Sequence, residues 1–188
     1  MSDRFTLNPM TRTRFEIPIQ WPSPPLQVVL HEPEIPPNTG SVARICAATG
    51  SPLHLIEPLG FSTSDAALKR AGLDYWEHVE MQRHAHWQAF LDAQQPQRFF
   101  LFSTAGTRSF FDVAYEPGDC LVFGCETRGL PDELLQQWPD RVVNVPMLCN
   151  RVRSLNLANT VGIALYEALR QTMTNDETSS VTREYGQK

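Results

Sequence analysis

Apolar positions along the chain follow two rhythms. Short, mostly apolar segments at Leu26–Leu30, Leu53–Glu57, Arg98–Ser103, Cys120–Gly124 and Arg141–Val145 read as strands of a sheet covered on both faces, where no polar alternation is needed. Between them the spacing becomes helical. From Asn38, a good N-cap, the residues Val42, Ile45, Cys46 and Thr49 fall at i, i+3, i+4 and i+7, and Gly50 ends the segment as a C′ glycine. Arg44 is turned about 200° from Val42 on that helix and points away from the core. Further helices are predicted at Ser64–Ala71 (stopped by Gly72), at His84–Gln94, from Pro131 to about Gln137, and at Ser154–Thr172 with Asn156 in its first turn. Strands alternating with helices predict an α/β fold, a parallel sheet flanked by helices. Ligands of such sheets sit at the carboxyl ends of strands, which directs attention to the loops after Leu30, Ser103, Gly124 and Val145.

The domain boundaries follow from the same pattern. Residues 1–25 form an irregular arm in which Pro18, Pro22, Pro24 and Pro25 forbid continuous structure. Residues 26–172 form the folded domain, and 173–188 a polar tail expected to be disordered. A chain of 188 residues suffices for one domain with a real core. No apolar run reaches membrane-spanning length, and MSDRFTLNPM carries no signal-peptide core, so a cytoplasmic protein without a membrane partner is expected. None of Cys46, Cys120, Cys125 and Cys149 forms a C-x-x-C pair, which argues against structural zinc, and no metal is expected. The net charge of -5 argues weakly against nucleic acid, yet Arg44, Lys69, Arg70, Arg128, Arg151 and Arg153 recur near the loops of interest and allow a local basic groove.

Candidate chemistry concentrates in two segments. In Val145–Asn159 a strand ends in a loop with Arg151 and Arg153 and enters a helix at Ser154, gathering free amides, a hydroxyl and positive charge at one helix start. An ordinary Ser-capped helix explains the same residues. Gly124-Cys-Glu-Thr-Arg-Gly129 has the glycine spacing of a phosphate loop, but Leu130-Pro131 stands where Lys and Ser or Thr are required. What remains is a turn carrying Glu126 beside Arg128, which a surface ion pair also explains. Ser154 or Cys149 as a hydrolase nucleophile lacks the G-x-S-x-G elbow and any histidine placed by sequence as base. His84 and His86 diverge on a helix and make a poor metal pair, so the histidines read as exposed or satisfied.

Taken together, Asn38-x-Gly40-x-x-x-Arg44, Phe123-Gly-x-Glu126-x-x-Gly129 and Val145-Pro-Met147 followed by Ser154-Leu-Asn156 resemble the SPOUT superfamily of S-adenosylmethionine-dependent RNA methyltransferases, over roughly residues 26–171. Residues 31–40, 57–61, 69–75, 123–131 and 166–171 resemble the members that methylate the wobble-ribose 2′-hydroxyl of cytidine or uridine in leucine tRNAs. The arm before Leu26 is longer than usual there, and residues 148–153 run about one residue long.

The resemblance implies a C-terminal trefoil knot and a homodimer. It implies S-adenosyl-L-methionine bound at Phe102, Gly124, Val145, Met147, Ser154 and Leu155, with S-adenosyl-L-homocysteine as product and no metal. It implies a reaction site of Arg44, Asn38, Glu126, Ser154 and Asn156, with Glu126 either pairing with Arg44 or accepting a proton. Arg128, Arg151, Arg153 and Tyr166 would contact the tRNA anticodon stem-loop. Because a guanidinium stays protonated, Arg44 is expected to act as an electrostatic clamp rather than a base. Methylation of another tRNA or rRNA position, or a catalytically silent RNA-binding module, would fit the same motifs.

Overall fold

The five apolar runs form strands, and two further strands complete one sheet. The structure of the protein, a computed structural model, describes residues 19–61, 79–148 and 151–175. The helix expected at Ser64–Ala71, the residues Lys69, Arg70 and Cys149, and the outer parts of both termini lie outside them. In chain order the elements are β1 (Ile19–Gln20), β2 (Gln27–His31), α1 (Pro36–Thr49), β3 (Leu53–Ile56), β4 (Met81–His84), α2 (Trp87–Gln94), β5 (Phe99–Phe102), β6 (Arg108–Ser109), β7 (Cys120–Phe123), α3 (Asp132–Gln137), β8 (Val142–Asn144), α4 (Leu157–Thr172) and β9 (Thr174–Asn175).

Seven of the strands form a sheet in the order β4-β3-β2-β7-β5-β8-β6, with every neighbouring pair parallel. The side chains of β2 alternate between two cores. Val28 and Leu30 join Val42, Cys46, Val161 and Leu165 of α1 and α4, whereas Val29 joins Phe90 of α2 and Leu134 of α3. Helices on both faces explain why the central strands are predominantly apolar. The register sets Leu30, Phe123, Phe102 and Val143 side by side, so the loops that follow leave the sheet at one level. No helix among the described residues is long and apolar enough to cross a membrane.

Three helix starts differ from the sequence pattern. The first helix begins at Pro36 with Ile35 as its cap, because two prolines preset the first turn; Asn38 lies inside the helix and its side chain is free to act elsewhere. Gly50 closes it in the left-handed conformation at φ 65, as expected. Residues 81–84 are an edge strand rather than helix, and α2 starts only after His86, whose ring accepts a bond from Ala89 N. The last helix starts at Leu157, with Asn156 as its cap accepting from the amides of Ala158 and Asn159; Ser154 stays in the preceding loop.

The misplaced His84 is one end of a buried polar chain. His54 Nδ1 lies 3.1 Å from His84 Nε2, and His54 Nε2 lies 3.0 Å from Gln27 Oε1. Phe90 closes edge-on against both rings. Burial, reinforced by His84, brings the pKa of His54 down to about 4. These histidines are satisfied core groups.

Ile19–Gln20 and Thr174–Asn175, which fall in the segments expected to be irregular, pair as a two-residue antiparallel ladder in a compact unit of the terminal segments.

Candidate active site at the carboxyl ends of the central strands

The loop after β7 turns back on itself as soon as the strand ends. Gly129 N donates to Cys125 O at 2.9 Å, and Gly129 adopts φ 74 to close the turn. A Cβ on Gly124 would lie 2.0 Å from the carbonyl carbon of Gly129, so no larger residue fits where the turn crosses over itself. This fold-back projects Glu126 toward the start of α1. Its Oε2 accepts from Glu34 N at 2.8 Å, and its Oε1 accepts from Ile35 N at 3.3 Å and Asn38 Nδ2 at 2.9 Å.

The chain of bonds continues to the last helix. Asn156 Nδ2 donates to Asn38 Oδ1 at 3.0 Å, while Asn156 Oδ1 caps α4. One end of this relay is a carboxylate, which only accepts; the other is a pair of backbone N–H groups, which only donate. Both amides are therefore fixed in a single orientation. Glu126, Asn38 and Asn156 come from three separate segments and meet through side chains alone.

The relay borders a cavity of about 640 Å³ at the strand ends. Phe102 and Phe123, stacked with centroids 4.6 Å apart, contribute to one wall, and Val145, Met147 and Leu155 line it as well. Asn144, which sequence reasoning missed, donates from Nδ2 to Thr104 O and Gly106 O, both at 3.1 Å, and pins the loop after β5. A Cβ on Gly106 would lie 2.8 Å from Val143 C, so that loop lies directly on β8.

Asn38, Glu126, Asn156, Gly124 and Ser154 line the cavity, as do Arg128 and Arg153. Three expected site residues stand outside it. Arg44 occupies the exposed face of α1, Arg151 is exposed in the loop before α4, and Tyr166 is 53% exposed on α4. The Glu126 carboxylate bonds to the start of α1. The reading of Glu126 as an ion-pair partner of Arg128 is corrected. That guanidinium lies 3.4 Å from Glu32 and 3.9 Å from Glu34 and is 71% exposed. No histidine lies among the described residues lining the cavity, so a Ser154 hydrolase finds no histidine base among them. Cys46 and Cys120 are buried, and desolvation pushes both thiols up to about 12, as suits core residues rather than nucleophiles.

Residues 25–166 match the SpoU rRNA methylase family. The chain belongs to that family. Among curated relatives, the tRNA (cytidine(34)-2′-O)-methyltransferase of Burkholderia pseudomallei strain 1106a is 54% identical over 147 residues, covering 77% of this chain and 94% of the relative. The enzyme of the same name from Escherichia coli K12 is 50% identical over 147 residues, covering 78% and 93%. A structure solved in a study of 2-OH methylation of C/U34 on tRNA superposes with a TM-score of 0.74 at 52% identity, covering 78% of this chain and 95% of that one. The SpoU methyltransferase AviRb of Streptomyces viridochromogenes, in complex with AdoMet, superposes at TM-score 0.68 and 25% identity, covering 77% and 59%.

Within this SpoU chain the family motifs coincide with the structural joints. Gly124 permits the fold-back, Glu126 and Asn38 bridge β7 to α1, and Asn156 brings in α4. Glu34 and Thr127, which lie in the resembling segments 31–40 and 123–131 but were not named as site residues, complete the junction. The sequence signals for Glu34 were its place in the loop after Leu30 and in the 31–40 segment.

Proposed function

We propose that this SpoU-family protein methylates the ribose 2′-hydroxyl of nucleotide 34, cytidine or uridine, in leucine tRNAs, using S-adenosyl-L-methionine and acting as a homodimer in the cytoplasm. The observation that carries this reading is the Glu126–Asn38–Asn156 relay on the rim of a cavity with apolar walls. The names of the relatives at 50 and 54% identity point to the same nucleotide. The trefoil knot expected from the SPOUT resemblance belongs to this reading.

The cavity fits the cofactor by its chemistry. Phe102, Val145 and Leu155 offer apolar surface for an adenine, and the loops after β5, β7 and β8 bring backbone polar groups to the same space. Gly124, Met147 and Ser154 complete the binding set. When bound, S-adenosyl-L-methionine supplies a methyl carbon activated for displacement by oxygen and leaves as S-adenosyl-L-homocysteine.

The chain's part is positioning and charge. Asn38 and Asn156 each keep one amide hydrogen beyond the relay to orient the ribose, and alignment of reacting groups accounts for a large share of such accelerations. Glu126 has both oxygens occupied by three donors, so it serves as the anchor of Asn38 rather than as proton acceptor. The hydroxyl proton passes to solvent as the O–C bond forms. Arg44 clamps the developing alkoxide and a tRNA phosphate. Its place outside the cavity requires bound RNA or a second copy of the chain to bring it to the reaction.

Arg128, Arg151, Arg153 and Tyr166 contact the anticodon stem-loop. A second copy is favoured by the apolar surface around α4, where Val152, Leu155, Ile163 and Tyr166 are 38 to 53% exposed.

The test is transfer of labelled methyl groups to leucine tRNA transcripts, followed by mapping of the modified ribose. Label at position 34 is expected. Label elsewhere, or none beside retained tRNA binding, refutes the assignment, the latter in favour of a silent RNA-binding module. Arg44→Ala should abolish methylation while affinity for S-adenosyl-L-homocysteine stays within about threefold, because Arg44 acts on the alkoxide and the tRNA phosphate and not on the cofactor.

A further inference from the structure

Glu34 and Glu126 stand 92 residues apart in the chain and exchange bonds across two loops. Glu34 gives its own N–H to Glu126. In return its Oε2 accepts from Thr127 N at 3.2 Å and from Thr127 Oγ1 at 2.7 Å, and its Oε1 faces Arg128 at 3.9 Å. Each carboxylate thus satisfies main-chain donors of the loop that carries the other.

A third loop backs the arrangement. Gly60 N donates to Pro33 O at 3.0 Å, and a Cβ on Gly60 would lie 2.7 Å from the Cα of Glu34. The backbone at Glu34 is held between Gly60 behind and Glu126 in front. Thr127 and Arg128 line the cavity, whereas Glu34 does not.

We propose that Glu34 is a positioning residue of the methyl-transfer site: by closing a reciprocal exchange with Glu126, it fixes the 126–128 turn against the start of α1 and so sets the place of Asn38. This rests on the methyltransferase reading above. Without the Glu34 carboxylate the Thr127 donors lose their acceptor, the turn gains freedom, and the relay reaching Asn38 and Asn156 loses its fixed origin. Small displacements of positioning groups are costly in rate.

The measurements are steady-state kinetics on tRNA, S-adenosyl-L-homocysteine affinity, thermal unfolding and amide hydrogen exchange, all on the full chain. Glu34→Ala should lower kcat about 10- to 100-fold, with KM for tRNA and cofactor affinity within about threefold. Glu34→Gln, which keeps an acceptor oxygen and one Thr127 bond, should recover most of the loss. Gly60→Ala alters no polar group and should reproduce the kcat defect by displacing Glu34. Thr127→Val combined with Glu34→Ala should add less than about twofold, because both remove one interaction. Exchange at the Thr127 and Ile35 amides should quicken in Glu34→Ala with the melting temperature nearly unchanged.

Wild-type kcat in Glu34→Ala, a Glu34→Gln as slow as the alanine variant, or unchanged exchange at Thr127 overturns the proposal. So does a parallel fall of kcat, affinity and melting temperature, which marks a purely structural role. If the wild-type chain methylates no tRNA the functional reading fails instead, and hydrogen exchange still decides whether Glu34 holds the turn.

Discussion

Two polar chains cross this molecule, and they are built alike. His84, His54 and Gln27 link three neighbouring strands, and Glu126, Asn38 and Asn156 link a strand end to two helices. The first is sealed: His54 is 1% exposed and Phe90 covers both rings. The second opens on a cavity. Residue type alone would assign the chemistry the other way round, since histidines titrate near neutrality and asparagines do not. Burial removes that property from the histidines, while the two amides keep hydrogen-bonding capacity on the rim of an open cavity. Position, access and leftover hydrogen-bonding capacity distinguish a site from a brace.

The comparison breaks first at Asn38. Asn38→Ala removes the middle of the relay, leaving Glu126 short of a donor and Asn156 short of an acceptor. Methylation should fall about 100- to 1,000-fold, with the chain folded and its melting temperature within a few degrees. Near-normal turnover would show that the relay is only another brace. His54→Leu should do the reverse. Stability should drop by about 2–3 kcal/mol, because His84 is left buried without its partner and the half-buried Gln27 loses its own, while kcat at 25 °C holds. A fall in kcat with stability intact would mean that the sealed chain communicates with the cavity.

Acid sharpens the same contrast. The folded state holds His54 near pKa 4, below the 6.5 of an unburied ring. Between those values the unfolded chain binds more protons, so stability is complete above about pH 6.5 and is lost as pH falls toward 4. At pH 5 the loss from this one group is about 2 kcal/mol. The gap in urea midpoint between wild type and His54→Leu should therefore narrow from pH 7 to pH 5; a constant gap would refute the assignment. The smallest effect is expected at Arg128. Its ion pairs with Glu32 and Glu34 are exposed, so Arg128→Ala should change stability by less than about 0.5 kcal/mol. It should still lower the salt dependence of tRNA binding by about one phosphate contact, and an unchanged salt slope would remove Arg128 from the RNA surface.

The central strands were legible because both faces are buried and the segments are mostly apolar. Residues 81–84 were not, since Met-Gln-Arg-His at a sheet edge shows neither a run nor an alternation, and nearby helical spacing absorbed His84. Helix starts failed for a different reason. Asn38, Ser154 and Asn156 are all plausible caps locally, and long-range partners decide among them. Asn38 is claimed by Glu126 after two prolines have already set the turn, and Asn156 takes the cap that Ser154 was assigned. The motifs did locate the cavity, because the glycine-bounded turn and the last strand end carry local signatures. The placement of Arg44 outside that cavity, and the exchange between Glu34 and Glu126, depend on contacts that local spacing does not encode.

The fixed direction of the amide relay has a chemical cost. Deamidation of Asn38 changes one nitrogen to oxygen and hardly alters size. The new carboxylate has no hydrogen to give to Glu126, and turning it around presents another oxygen in the same place. The damage cannot be absorbed by a local flip, so ageing of a single side chain would place two negative charges face to face at a junction where three segments of the chain meet.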